Sequence, residues 1–211
     1  MAQLDYIRDP EAIYEQSFAA IESLPELQRL DGAMRPIAIR MVHACGMPDI
    51  VSDLRWSDDF QQVGRGALGR GAEVFCDVES LGSTIMKRLL PSGTSIRCDI
   101  NSSECLALAR KENCTRAAAQ VDLWGDAINA SIVVIGNAPT TLFRILENID
   151  EGGAKPALIL GFPVGFVGAA ESKAELAANP RGVPYITLMG RRGGTAIAAA
   201  CMNAVAAGLS R

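Results

Sequence analysis

The sequence predicts a three-layer α/β fold, a flavodoxin-like doubly wound parallel sheet of about five strands with helices on both faces. Two observations lead there. From residue 73 onward five short apolar runs, EVFCD (73–77), SIRCD (95–99), SIVVIG (131–136), ALILG (157–161) and YITLM (185–189), alternate with amphipathic or alanine-rich stretches at 78–88, 103–129, 139–150, 171–178 and 194–209. Steady alternation of this kind implies parallel strands joined by right-handed helical crossovers. Three of the runs also end in glycine-bearing loops: Gly136-Asn137-Ala138-Pro139, Gly161-Phe162-Pro163-Val164-Gly165 and Gly190-Arg191-Arg192-Gly193-Gly194. Doubly wound sheets bind ligands beyond the carboxyl ends of their strands, and glycine lets backbone approach a ligand closely, so these loops are the expected rim of a site.

Before the alternating region the chain reads as helical. Asp9 is placed to cap a helix that has Pro10 at its first position, and Ile13, Tyr14, Ser17, Phe18 and Ile21 follow at helical spacing. A second helix runs from about Met34 to Cys45, with Gly46 as its stop. Short capped helices are expected at Pro48 and at Ser57-Asp58-Asp59.

At 22.4 kDa and 49% hydrophobic residues the chain can bury one substantial core, so residues 1–211 are expected to form a single domain. A net charge of −4 argues against nucleic acid as a partner, since phosphate binding needs a basic excess. MAQLDYIRDPEA has no apolar leader segment, and TAIAAACMNAVAAGL is interrupted by Asn203 and shorter than the ~20 residues of a membrane span. A cytoplasmic protein that does not engage membranes is therefore expected. The cysteines at 45, 76, 98, 105, 114 and 201 form no CxxC pair and one histidine cannot complete a zinc cluster, so reduced, buried thiols and no metal are expected.

GFPVGFVG spaces its glycines as G-x-x-x-G-x-x-G, which is not the dinucleotide fingerprint, and no phosphate-loop motif occurs. GRRGG opens a helix with two guanidinium groups and free backbone N–H groups, good chemistry for a carboxylate or phosphate, although a solvated basic turn has the same composition. RMVHACG, residues 40–46, holds the only histidine. On a helical wheel Ile37, Met41, Ala44 and Cys45 make the apolar face, while Arg40 and His43 share the neighbouring stripe. An imidazole there suits proton transfer near neutral pH; it also suits a histidine packed at the edge of a core.

DYIRDPEAIYEQSF, RMVHACG, IGNAPTTLFRILE, LGFPVGFVGAAESK and GRRGGTAIAAA together resemble the precorrin-8X methylmutase family, whose members also act in a cobalt-precorrin-8 form, and the likeness runs almost end to end. The resemblance implies a flavodoxin-like homodimer that builds its clefts partly from both subunits. It also implies an isomerase that moves a methyl group from C-11 to C-12 of a contracted tetrapyrrole, giving hydrogenobyrinic or cobyrinic acid. It carries over His43 as the proton donor to a ring nitrogen and Tyr14, Ser17, Arg40, Thr115, Arg116, Gly136, Asn137, Gly165, Lys173, Arg192, Gly193 and Gly194 as substrate contacts, with Arg40, Arg116, Arg192 and backbone N–H groups meeting the acidic arms. No cofactor is implied, because the rearrangement moves no electrons in or out. The likeness departs at Cys114, where an asparagine is expected before Thr115. A corrinoid carrier using the same cleft without chemistry is the alternative, and an α/β enzyme acting on an acyl or phosphorylated metabolite is a weaker one. Residue types do not choose between cobalt-free and cobalt-bound substrate.

Overall fold

The computed structural model describes residues 4–209. Its centre is a six-stranded sheet formed by β1 (Leu54–Trp56), β2 (Val74–Cys76), β3 (Ile96–Arg97), β4 (Ile132–Ile135), β5 (Leu158–Gly161) and β6 (Tyr185–Leu188), in the spatial order β1-β6-β5-β4-β2-β3. The strands β2 to β6 are mutually parallel, and their order is the doubly wound one, reversing between β2 and β4. The expected three-layer α/β architecture holds.

Side chains alternate across the sheet as the pleat dictates. Ile132 and Val134 of β4 face one core together with Leu158, Leu160, Ile186 and Leu188; Val133 and Ile135 face the other with Phe75 and Ile159. The first core is closed by α3 (Arg35–Cys45), α4 (Phe60–Gly69), α5 (Glu79–Thr84) and α10 (Thr195–Ala206). The second is closed by α7 (Arg116–Trp124), α8 (Pro139–Asp150) and α9 (Ala169–Ala178), with α6 (Ser103–Lys111) packed on α7. Nine consecutive or near-consecutive positions of α10, from Ile197 to Ala206, are buried, because this helix lies between the sheet and α3 and is apolar apart from Thr195 and Asn203. In contrast α1 (Pro10–Glu22), capped by Asp9 as expected, has no buried residue and rests on α3 from outside. A further turn, α2 (Pro25–Gln28), follows it.

Several expectations need correction. The sheet has a sixth strand and is mixed, since β1 pairs antiparallel with β6 through Leu54↔Leu188 and Trp56↔Ile186. Three residues are too few to show a period, so only the partner strand defines β1. The helix expected from Asp59 is not short: it runs ten residues as α4. The stretch 103–129 is two α-helices followed by a 3-10 turn (Gly125–Ile128), because Thr115 caps a fresh start by accepting the Ala118 N–H at 3.1 Å and Asn113 takes a left-handed φ of 50° that ends α6. All six cysteines are free, but only Cys76, Cys105 and Cys201 are buried; Cys114 is exposed, and Cys45 and Cys98 lie between. Among the described residues no helix is long and apolar enough to cross a membrane.

Candidate active site

The last turn of α3 places the lone histidine. Ile37 and Met41 bury the inner face of that helix, which turns His43 outward, and Gly46 ends the helix with φ 69°. His43 is exposed, so it does not serve as core filling. Its Nδ1 lies 2.9 Å from Ser17 Oγ on α1, the rings of Phe18 and Tyr14 stand 4.9 and 5.8 Å away, and those two rings stack at 4.2 Å. Whichever of the two donates, the bond to Ser17 orients the ring and leaves Nε2 as the nitrogen for a ligand.

The ring faces a cleft of about 350 Å³. Its floor is the small-residue face of α10, Ala196, Ala199 and Ala200, beside Asn203; Phe18, Met86 and Leu89 supply apolar walls. Arg40 and Arg88 line it, and among the described residues no carboxylate does. Tyr14, Arg40 and His43 are thus brought together as expected, with Ser17 behind the imidazole. Ala44, placed on the inner face by the helical wheel, lies in the cleft instead. Phe18, Met86, Arg88 and Asn203 were not anticipated as site residues. An asparagine within an apolar helix was the only sequence signal for any of them.

The remaining expected contacts lie elsewhere, at the carboxyl ends of the strands, where the glycine loops hold one another. Gly136 donates to Asp77 Oδ1 at 3.0 Å, and the Asn137 and Ala138 amides donate to Asp77 Oδ2 at 2.8 and 2.7 Å. Asp77 follows β2 and Gly136 follows β4, so this buried carboxylate fills the crevice where strand order reverses. Burial pushes its pKa up, against the pull of the three amides. The amides expected to meet a ligand anion here already hold an internal one.

Neighbouring loops continue the pattern. Val164 donates to the Asn137 carbonyl, Gly165 to that of Arg191 and Gly194 to that of Phe162. A Cβ on Gly193 would collide with the Phe162 and Pro163 carbonyls, and one on Gly136 would sit 2.8 Å from Thr195 Cα, so both glycines serve backbone packing. Arg192 is not free for an acidic arm: it pairs with Asp49 and, at 2.7 Å, with Asp53. It thereby ties the turn Pro48–Asp53, just after the His43 helix, to the start of α10. Thr115 Oγ1 donates to Thr140 Oγ1 at 2.8 Å, and exposed Arg116 donates to Asn101 Oδ1 at 2.7 Å. Among the described residues no three His, Cys, Asp or Glu side chains gather as a metal site requires.

Lys173 is fully buried and donates to the Arg192 carbonyl at 2.5 Å, which makes it a brace for the Arg192 loop and not a surface contact. Burial pulls its pKa down to about 8 from 10.5. Below that lowered value both folded and unfolded chains carry the charge and the fold bears the desolvation cost; above 10.5 neither does. Stability attributable to this amine therefore climbs with pH between those values. Subtracting the Lys173→Met curve from the wild-type curve in chemical denaturation should reveal that rise, and a flat difference would refute it.

The model of the precorrin-8X methylmutase family matches residues 12–207. This chain belongs to that family. A precorrin-8X methylmutase of Pseudomonas aeruginosa is 49% identical over 96% of this chain and 98% of its own length, and one of Sinorhizobium is 45% identical over 98% of each. The cobalt-precorrin-8 methylmutase of Priestia megaterium is 34% identical over 93% of this chain and 87% of its own. Among solved structures, the precorrin-8X methylmutase of Thermus thermophilus superposes with a TM-score of 0.83 at 30% identity, covering 93% of this chain and 94% of that one. The chain is accordingly a methyl-shifting isomerase of cobalamin biosynthesis, as the five sequence blocks implied.

Proposed function

We propose that this methylmutase moves the methyl group of precorrin-8X from C-11 to C-12, giving hydrogenobyrinic acid, with His43 as the proton donor to a ring nitrogen beside the migrating group. The observation that carries the reading is the Ser17-oriented imidazole opening onto a cleft that has guanidinium groups and, among the described residues, no carboxylate in its lining. A macrocycle fringed with acetate and propionate arms needs cations at its rim and an apolar surface beneath its ring. Arg40 and the alanine floor of α10 supply both. The metal-free substrate is favoured because the 49% and 45% identical relatives bear the precorrin-8X name, against 34% for the cobalt-precorrin-8 enzyme of Priestia megaterium.

In this reading imidazolium Nε2–H donates to the ring nitrogen while Ser17 Oγ accepts from Nδ1–H, an arrangement that suits the ring in both its charged and neutral forms. Protonation draws electron density out of the conjugated system and lowers the barrier to a 1,5-shift. The bond from methyl to C-11 breaks as the bond to C-12 forms, and the proton returns to Nε2. Mixing excess enzyme with precorrin-8X should convert the visible spectrum to that of hydrogenobyrinic acid in one turnover. A spectrum that shifts only as bound substrate would mark a carrier and refute catalysis.

Thr115, Arg116, Asn137 and Gly165 do not line the cleft of their own chain. We propose that the enzyme is a homodimer with active sites near the subunit interface, which lets such residues serve a partner's ligand. Helix α1 supports this, since it borders the cleft while Ile13 and Tyr14 stay 47% exposed and Leu4 78%. Sedimentation at micromolar concentration should give twice 22.4 kDa; a species of 22.4 kDa alone would overturn it.

A further inference from the structure

Two walls stand on α10. One is α3, carrying Arg40 and His43; the other is the segment after α5, carrying Met86 and Arg88. The second wall is fastened from below, because the Met86 amide donates to Asn203 Oδ1 at 2.8 Å and Asn203 is a 5% exposed asparagine in an otherwise apolar helix. Two residues further, Arg88 rests Nη2 on the Met86 sulfur at 3.4 Å. A thioether is neutral and a weak acceptor, so it holds the guanidinium without offsetting its charge.

Four arginines outside the cleft, Arg97, Arg144, Arg181 and Arg192, bind carboxylates at short range, while others, such as Arg116 and Arg191, have no ion pair among the described residues. Neither Arg40 nor Arg88 has an ion pair among the described residues. The cleft therefore presents one uncompensated guanidinium on each wall, and the proton donor on only one of them. A single guanidinium would grip one arm and leave a flat ring free to pivot about it. A second on the facing wall fixes the ring's rotation, and with it which ring nitrogen meets His43.

We propose that Arg88 is a specificity-determining residue that receives a peripheral carboxylate of the macrocycle across the cleft from Arg40 and so sets the register of the ring over His43. The inference rests on the polycarboxylate substrate proposed above. Loss of Arg88 then weakens binding of the acid and also lowers kcat, because a ring in the wrong register presents the wrong nitrogen.

Titration with hydrogenobyrinic acid and with its fully methyl-esterified form, followed by visible absorption, tests this in wild type, Arg88→Met and Arg88→Lys. Arg88→Met should bind the acid about tenfold more weakly than wild type, bind the ester with unchanged affinity, and melt at the wild-type temperature; Arg88→Lys should recover part of the loss. Equal affinity of wild type and Arg88→Met for the acid overturns the proposal, as does an equal loss for acid and ester. A wild type that binds the acid and turns over precorrin-8X keeps the substrate reading standing whatever the variant does. Failure of the wild type to bind the acid removes that reading and the role of Arg88 together.

Discussion

Replacing His43 by alanine should slow methyl migration by about 10²- to 10⁴-fold, the usual worth of a positioned acid or base, while corrinoid binding stays near the wild-type value. The asymmetry follows from the geometry. His43 offers Nε2 to the cleft from one corner, whereas the floor is Ala196, Ala199 and Ala200 and the cations are Arg40 and Arg88, none of which the substitution touches. Truncation also leaves little strain behind, because the imidazole is exposed and its polar partner among the described residues, Ser17 Oγ at 2.9 Å, can turn to water. Ser17→Ala removes only the hydrogen bond that orients the ring and should cost about tenfold or less, in kcat and not in KM. Stopped-flow absorption for turnover and equilibrium titration for binding read the two effects separately. Normal turnover by His43→Ala would eliminate the acid, and loss of binding with the turnover rate per bound ligand preserved would make the imidazole a substrate anchor.

Asp77→Ala should be the most damaging single change to stability outside the apolar cores. The carboxylate accepts three backbone N–H groups at 2.7–3.0 Å, and those of Gly136 and Ala138 are buried. A buried donor stripped of its acceptor costs about 1–3 kcal/mol, so a loss of about 3 kcal/mol is expected. At about 2–4 °C per kcal/mol for a chain of this size, melting should fall by about 6–12 °C. Asp77→Asn is no remedy, since its amide nitrogen would point a donor at donors, and it too should destabilise. Calorimetry on both variants decides the matter; a melting temperature within about 2 °C of wild type would show that water replaces the carboxylate and that the crevice is not sealed.

The same aspartate shows where reading from residues stopped. Strand-end glycines pointed to the edge of the sheet used by doubly wound folds, and the loops do gather there. What could not be read was that Asp77, 59 residues before Gly136, would turn its carboxylate into the crevice and occupy the amides. Lys173 and Arg192 are a similar case. The likeness to the family made Lys173 a substrate contact and the GRRGG motif made Arg192 an anion binder, yet one ends on a backbone carbonyl and the other on Asp49 and Asp53, partners distant in sequence. Arg88 is the converse: nothing local distinguishes it from a surface arginine, and its place in the cleft depends on Asn203, more than a hundred residues away.

Local pattern sufficed wherever the controlling force acts within a few residues: the Asp9–Pro10 helix start, the Gly46 stop, the two-sided apolar strands β2, β4, β5 and β6, and through five contiguous blocks the family and its chemistry. Tertiary structure alone decided that β1 exists, that the lone imidazole faces solvent, and which charged groups stay unpaired. Each of these turns on a partner brought near by folding, because hydrogen bonds and ion pairs act over a few ångströms of space while the chain separates their members by tens of residues.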